Sequence, residues 1–301
     1  MNDLSNGAAW MGGQIIPIAE ASLPVTDWGL THSDVTYDVV PVWEGAFFRL
    51  PDYLDRFQAS VATLRMDIGM TRGAIEQALS DMVAASHLQS AYVSMVASRG
   101  RNRVPGSRDY RECDNHFFAW CVPYVHIIKP EIAEKGTSVW IAKSVRRIPQ
   151  DSVNPKVKNY HWGDFTSGLI EAKDNGFDTT LLLDHQGNVT EGPGFNIFAL
   201  FGDRLVTSDH GVLHGITRQT TLEMAAARGL NVETRPLPVN EFWEADEVFL
   251  SSSSGGVIPV SRVDDRYFSN GAPGPVARAM RADYFSWMMR DDLRQSIPYP
   301  S

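Results

Sequence analysis

"NPKVKNYHWGDFTSGLIEAKDNG", residues 154–176, reads as a lysine-bearing connector that runs into a helix, "WGDFTSGLIEAKDNG", stopped by Gly176 as its C-cap. Before it lies a strand, "SVWIAKSV" (138–145). After it come two more, "DTTLLLD" (178–184) and "NVTEGPGFNIFAL" (188–200), joined by the turn "HQGN". Strands alternating with a helix make this half of the chain α/β. The connector sets Lys156 and Lys158 two places apart in an otherwise uncharged stretch. If it is extended, both side chains point to one face. They form a solvated edge, or one of them reacts as an amine, and spacing alone does not say which.

Working outward, "DRLVTSD" (203–209) is a further strand, and "TRQTTLEMAAARGL" (217–230) a helix whose N-cap region is "HGIT". "ADEVFLSSSSGGVIPV" (245–260) runs from a strand into a serine-glycine turn, and "PGPVARAMRADYFSWMMRDDL" (273–293) is an amphipathic helix. Towards the N-terminus, "GLTHSDVTYDVVPVWEGAFFRL" (29–50) has β-branched and aromatic runs broken by Glu44-Gly45, a hairpin signal. "LPDYLDRFQASVATLRM" follows at helical spacing, with Leu54, Phe57, Val61 and Leu64 on one stripe. "TRGAIEQALSDMVAASHL" is a second helix capped by Thr71, "SAYVSMVASRG" and "NHFFAWCVPYV" are strands, and "GSRDYRECDN" between them is a loop. The prolines and acidic residues of "PYVHIIKPEIAEKG" mark a crossing. The expected organisation is a small α/β domain over 1–122, a linker over 123–130, and a larger cofactor-binding domain over 131–301.

The bulk numbers bound the class. With 301 residues, 43% hydrophobic and 21% charged, the composition is that of a soluble globular chain with enough length for two cores. No apolar run approaches the roughly 18 residues of a membrane span. The start, "MNDLSNGAAWMGG", has no basic region followed by an apolar one. Cys113 and Cys121 are the only cysteines, which fits neither a disulfide framework nor a zinc site and suits a reducing cytoplasm. A net charge of −9 with no basic stripe argues against nucleic acid as a partner.

Several catalytic templates are missing: no GxSxG, no HExxH, no P-loop. The eight histidines are scattered singly, so no metal site is expected. "GPGFN" has a GxG spacing without a third glycine. What remains is a set spread over several segments. A lysine attacks carbonyls only as the free amine, and a Schiff base with pyridoxal phosphate meets that need while supplying an electron sink. Such a site also requires an acid facing the pyridine nitrogen and donors for the phosphate. Glu191 stands at a strand end beside glycines, Gly192 and Gly194, that would let a ring approach, although a carboxylate beside a turn is equally a surface feature. Ile216 and Thr217 offer amides at a helix start. "SSSSGG" offers hydroxyls in a nest-like turn, or is a plain solvated loop. Arg56 can clamp a phosphate bidentately, or pair with Asp52 four places earlier on its helix.

With those segments in this order, the chain resembles the class IV, fold-type IV, pyridoxal-phosphate aminotransferases over essentially its whole length. The motifs that carry the resemblance are "HSDVTYDVVPVWEG", "YLDRF", "VKNYHWGD", "TEGPGFNIF", "GITRQT" and "EVFLSSSSGGVIPV". It is most similar to the (R)-selective amine transaminases, whose signatures match His32 to Val39, Val157 to Asp164 and Glu191 to Asn196. In that subgroup the Schiff-base lysine precedes the Asn of "VKN", which selects Lys158. The resemblance implies a two-domain fold whose larger domain has a β-barrel-like core, with pyridoxal 5'-phosphate in the cleft between the domains and a homodimer completing each pocket. It implies that Lys158 holds the cofactor and shuttles the proton, and that Glu191 keeps the pyridine nitrogen protonated. Arg56, Ile216, Thr217 and Ser253 would bind the phosphate, with Phe195 and Asn196 also at the cofactor. It places Trp162 near the ring and gives His32, Tyr37, Val39, Tyr92, Ser94, Arg103 and Ser254 to the substrate, Tyr37 and Val39 being equally readable as alternate strand packing.

Two departures bear on substrate choice. Ser94 stands where the amine-transaminase subgroup often carries Glu. Pro105, in "RNRVPGSR", replaces an arginine that holds the acceptor carboxylate, leaving Arg101, Arg103 or Arg108 as substitutes. The expected activity is amino transfer from an (R)-amine or D-amino acid to a 2-oxo acid such as pyruvate. The alternatives are a branched-chain L-amino-acid aminotransferase, a same-fold lyase of the aminodeoxychorismate type, and a ligand-binding or assembly protein on a degenerate fold.

Overall fold

The computed structural model describes residues 3–300, and its chain divides into two compact units. One holds the chain up to Val125 together with Val157–Tyr160 and the residues from Met288 onward; the other holds His126–Lys156 and His161–Trp287. Both are mixed α/β. No helix among the described residues is long and apolar enough to cross a membrane.

The first unit is built on a seven-stranded antiparallel sheet in the order Arg294–Ser296, Ala46–Phe48, Val35–Trp43, Ala91–Asn102, Cys113–Pro123, Ala8–Met11, Gln14–Pro17. The expected hairpin is present: Trp43 faces Ala46 across Glu44 and Gly45, both at positive φ (45° and 77°). That two-residue connection has the twist that antiparallel strands favour. Helix Leu50–Thr63 buries Leu50, Tyr53, Leu54 and Phe57, an i, i+3, i+4, i+7 stripe. The stripe sits one turn earlier than the sequence suggests, because the helix ends at Thr63 and Arg65 then adopts a left-handed φ of 52°. Helix Arg72–Ser86 begins where expected, with the Thr71 hydroxyl accepting the Ala74 amide at 3.2 Å. The C-terminal segment belongs to this unit because Arg294–Ser296 pairs with Ala46–Phe48.

The short strand Ala46–Phe48 covers only Val42 and Trp43 of its neighbour. The N-terminal half of Val35–Trp43 is met on that side by an isolated bridge, Thr36 opposite Asn159. Backbone N–H groups inside a protein need acceptors. Here Tyr37 donates to the Lys158 carbonyl at 3.1 Å, which is how four residues from mid-chain come to group with this unit.

The second unit carries a nine-stranded sheet in the order Asn231–Thr234, Arg204–Thr207, Phe195–Phe201, Glu247–Ser252, Gly256–Val263, Thr137–Ile141, Thr179–Leu181, with Glu191–Gly192 paired to Phe195–Phe201 and Arg266–Tyr267 to Gly256–Val263. Two of its pairs are parallel with a helix in the crossover, as parallel pairing requires. Helix Gly163–Asp174 links Thr137–Ile141 to Thr179–Leu181, and helix Ile216–Ala227 links Arg204–Thr207 to Asn231–Thr234. The run 188–200, expected as one strand, is broken into Asn188–Val189, Glu191–Gly192 and Phe195–Phe201. The break lets Glu191–Gly192 fold back on Phe195–Phe201 through Gly194 at φ 84°. Leu182, just past Thr179–Leu181, donates to the Glu191 carbonyl and accepts from Thr190, both at 3.1 Å. The ladder order is open, and these bonds join its Thr179–Leu181 end to the segment that pairs with Phe195–Phe201; the core includes Val139, Leu181, Ile197, Leu250 and Ile258.

Candidate active site

The structure separates the two lysines. Residues 155–156 form a turn rather than an extended segment, so the alternation argument does not apply there. Lys156 is exposed, its amide donates to Asn154 Oδ1 at 3.0 Å, and it lines a surface cavity of about 440 Å³ with Gln150, Asp151, Asn154 and Asp209. Lys158 is half-buried. Its carbonyl accepts the Tyr37 amide and the Thr36 hydroxyl (2.7 Å), and its Nζ lies 4.6 Å from the centroid of the Tyr37 ring.

Period-two alternation puts Val35, Tyr37 and Val39 on one face of their strand, and they form a buried cluster with Val96, flanked by Tyr92 and Phe118. Tyr160 stacks on Tyr37 at 4.1 Å and Tyr92 on Trp120 at 5.2 Å. Burial raises the Tyr92 and Tyr160 phenols, with Tyr37 adding to each. Ser94, opposite Val39 in the sheet, is fully buried. Of the other substrate candidates in this unit, His32 is exposed, stacked on Trp28 at 4.4 Å and bonded to Thr31 Oγ1 at 2.8 Å. Arg103 donates to the carbonyls of Glu112 and Arg111. Arg101, beside it in a cavity of about 450 Å³ with Thr26 and Trp28, has no side-chain ion pair or hydrogen bond among the described residues.

Arg56 does not pair with Asp52, whose carboxylate goes to Arg49 at 2.5 Å. Its guanidinium is bidentate on Asp38, Nε to Oδ2 at 2.8 Å and Nη2 to Oδ1 at 2.6 Å. Burial disfavours the Arg56 cation, but the Asp38 carboxylate more than offsets this and raises its pKa. The Asp38 side chain is 0% exposed, so Arg56→Ala would strand a buried carboxylate. We expect a stability loss of about 3–5 kcal/mol in urea unfolding of the apo chain, the scale for breaking a buried ion pair. Unchanged stability with weaker pyridoxal phosphate binding would instead make Arg56 a phosphate ligand and nothing more.

In the second unit, Glu191 is no surface carboxylate: it is 5% exposed. Oε1 faces Arg147 at 3.2 Å, while Oε2 accepts the Leu213 amide at 2.9 Å and Asn196 Nδ2 at 3.3 Å. Arg147 is itself buried, 4.3 Å over the Phe165 ring, and its Nη1 donates to Asp164 Oδ2 at 2.7 Å. Asp164 is fixed by the Ile148 and Phe165 amides. Trp162 is the N-cap of helix Gly163–Asp174 and packs on Phe165 at 5.6 Å. The space at Gly192 is taken by the protein itself: a Cβ there would stand 2.2 Å from the Phe195 ring and 2.3 Å from the Thr180 carbonyl. Phe195 is thereby a core residue against the acid's own strand and fills the space at Gly192, while a Cβ at Gly194 would meet nothing within 4 Å.

Helix Ile216–Ala227 starts at Gly215 with no side-chain cap, so its first amides lack intrahelical acceptors. Beside them, Thr217 Oγ1 and Ser253 Oγ are 3.4 Å apart. A Cβ at Gly215 would meet Asn196 Oδ1 at 2.4 Å, so glycine is required for this close approach. The serine turn is ordered by its own bonds: Ser252 Oγ donates to the Gly194 carbonyl at 2.8 Å, and the Ser254 amide donates to Ser252 Oγ at 3.2 Å. Ser254, 4% exposed, accepts the Ile127 amide at its carbonyl. Arg147, Asp164, Asp38 and Thr36 were not singled out in the sequence, though Asp38, Thr36 and Asp164 lie inside quoted motifs. Arg147, in "VRRIPQ", carries no such signal.

Comparison with known proteins identifies relatives of the chain. The chain is 28% identical over 91% of its length to a putative branched-chain-amino-acid aminotransferase of Methanocaldococcus jannaschii, 94% of which is covered. It is 26% identical over 88% of its length to a D-alanine aminotransferase of Bacillus licheniformis, with 92% of that protein covered. Among solved structures, a T.th. branched-chain amino acid aminotransferase with pyridoxamine 5'-phosphate superposes with a TM-score of 0.89 at 26% identity, covering 98% of this chain and all of that one. The uncapped helix start with its hydroxyl pair fits a phosphate ester, and the buried, multiply bonded Glu191 fits the partner of a ring nitrogen. Pyridoxal phosphate is thus the cofactor these residues suit. The amino-transferase class IV profile matches residues 36–263, three-quarters of the sequence, and this chain belongs to that family.

Proposed function

We propose that the chain moves an amino group from an (R)-amine or D-amino acid to a 2-oxo acid such as pyruvate, in two half-reactions, as a cytoplasmic homodimer. When bound, pyridoxal phosphate supplies the electron sink that carbanion chemistry at the donor carbon needs. In this reading Lys158 Nζ holds the cofactor and then carries the proton to and from the donor carbon. Glu191 keeps the ring nitrogen protonated, with Phe195 and Asn196 behind it. Ile216, Thr217, Ser253 and Arg56 bind the phosphate. His32, Tyr37, Val39, Tyr92, Ser94, Trp162 and Ser254 shape the donor pocket. The observation that supports an amine-accepting pocket is the aromatic face beside Lys158, built from Tyr37, Tyr160 and Tyr92. For the acceptor carboxylate, Arg101 is available, whereas Arg103 would first have to release two carbonyls.

A second reading, transfer from branched-chain L-amino acids, is supported by the names of several relatives, including the M. jannaschii protein. A donor panel separates the two. We expect turnover of (R)-1-phenylethylamine or D-alanine with pyruvate and little of (S)-1-phenylethylamine. Arg101→Ala should raise the pyruvate KM by about tenfold or more, the scale of a lost charge-assisted hydrogen bond, and Arg103→Ala should raise it less. A clear preference for L-leucine or L-valine moves the protein to the branched-chain group. Release of ammonia or elimination product without any oxo acid would support the lyase.

A further inference from the structure

Thr36 lies at the centre of the "HSDVTYDV" motif and is 0% exposed. A buried threonine in a strand is ordinarily a packing residue whose hydroxyl finds a nearby carbonyl. Here that carbonyl belongs to Lys158, 122 positions away, at 2.7 Å. The Tyr37 amide donates to the same oxygen at 3.1 Å. The chain on the N-terminal side of the lysine is a turn, and Asn159 contributes a single bridge rather than a ladder. Two donors on one carbonyl oxygen are therefore a main part of what holds the lysine backbone on the strand edge left open by Ala46–Phe48. From that anchor the side chain reaches over the Tyr37 ring, which Tyr160 backs by stacking.

We infer that the Thr36 hydroxyl is a positioning residue for Lys158: by fixing the lysine's carbonyl it sets where the amine stands over the Tyr37 face. This rests on the assignment of Lys158 as the cofactor lysine proposed above. Thr36 touches neither substrate nor cofactor in this inference, and acts only through the lysine backbone. The tyrosine amide gives the same oxygen a fixed direction, and the hydroxyl gives it a second one. Losing the hydroxyl frees the carbonyl to rotate, and the error is carried outward along four methylenes to Nζ. Catalytic groups lose rate steeply when displaced by as little as an ångström.

The test uses the holoenzyme in three forms: wild type, Thr36→Val, which keeps the shape and removes the hydroxyl, and Thr36→Ser, which keeps the hydroxyl. Borohydride reduction with peptide mapping identifies the labelled lysine, the pH titration of the yellow cofactor band reports the amine's environment, and steady-state kinetics separates kcat from KM. With Lys158 labelled in all three, Thr36→Val should shift the band's pH midpoint by about half a unit or more. It should also lower kcat about tenfold or more at an unchanged donor KM. Thr36→Ser should restore both. A Val variant with wild-type band and kcat overturns the inference, as does equal impairment of Val and Ser, which would make the methyl group the important part. Should Thr36→Val fail to fold, the same contrast is drawn between Thr36→Ala and Thr36→Ser. A wild-type label on a lysine other than 158 instead overturns the cofactor-lysine assignment, a failure distinct from any equality among the Thr36 variants.

Discussion

Lys158→Ala is expected to lose the yellow cofactor band and to lower turnover by roughly 10³-fold or more, the combined scale of a lost covalent anchor and a lost proton carrier. Lys156→Ala is expected to keep both. The contrast follows from placement rather than chemistry, since the two side chains are identical. Lys156 sits on an Asn154-bonded turn, exposed beside a surface cavity. Lys158 has its backbone held by two donors and its amine against an aromatic face. A primary amine added to the Lys158→Ala protein should return part of the activity, because the site would then lack only its nucleophile. Peptide mapping of borohydride-reduced wild type that finds the label on Lys156 would refute the assignment.

Local signals carried much of the fold. The Glu44-Gly45 hairpin, the Thr71 cap and the stop of helix Gly163–Asp174 near Gly176 each depend on residues within a few places of one another, and all three stand in the structure. Several strands without a hydrophobic alternation were not legible. Ala8–Met11 is apolar throughout, Asn231–Thr234 has one apolar residue, and Arg294–Ser296 is polar throughout; each becomes a strand because a neighbour's edge is available. The same limit governs the site. Motifs pointed to Lys158 and Glu191, but their partners lie far off in sequence: Thr36 at 122 positions from the lysine and Arg147 at 44 from the acid. Arg56 found Asp38, 18 positions away, instead of the nearer Asp52 that helical spacing offered. Asp52 was taken by Arg49, and burial of Asp38 demanded a cation, which decided the competition.

Glu191→Gln should leave a folded protein that binds pyridoxal phosphate and turns over at least about 10²-fold more slowly, the scale of a lost general acid–base partner. The fold is expected to survive because Arg147 keeps Asp164 at 2.7 Å when the charge at 191 is removed. The amide is nonetheless a poor replacement. All the groups named around Glu191 are donors: Arg147 at one oxygen, the Leu213 amide and Asn196 Nδ2 at the other. Whichever way the substituted amide turned, its NH₂ would face a donor, and the neutral side chain would no longer favour a proton on the ring nitrogen. Removing the arginine has a different signature. Arg147→Ala strands two carboxylates, Asp164 and Glu191, each about 95% buried, and should cost about 3–5 kcal/mol of stability before any effect on rate is read. Measuring urea unfolding and kcat on both variants therefore separates the two roles. A Glu191→Gln enzyme with wild-type kcat would remove this carboxylate from the reaction and leave it as one arm of a structural Arg147 network.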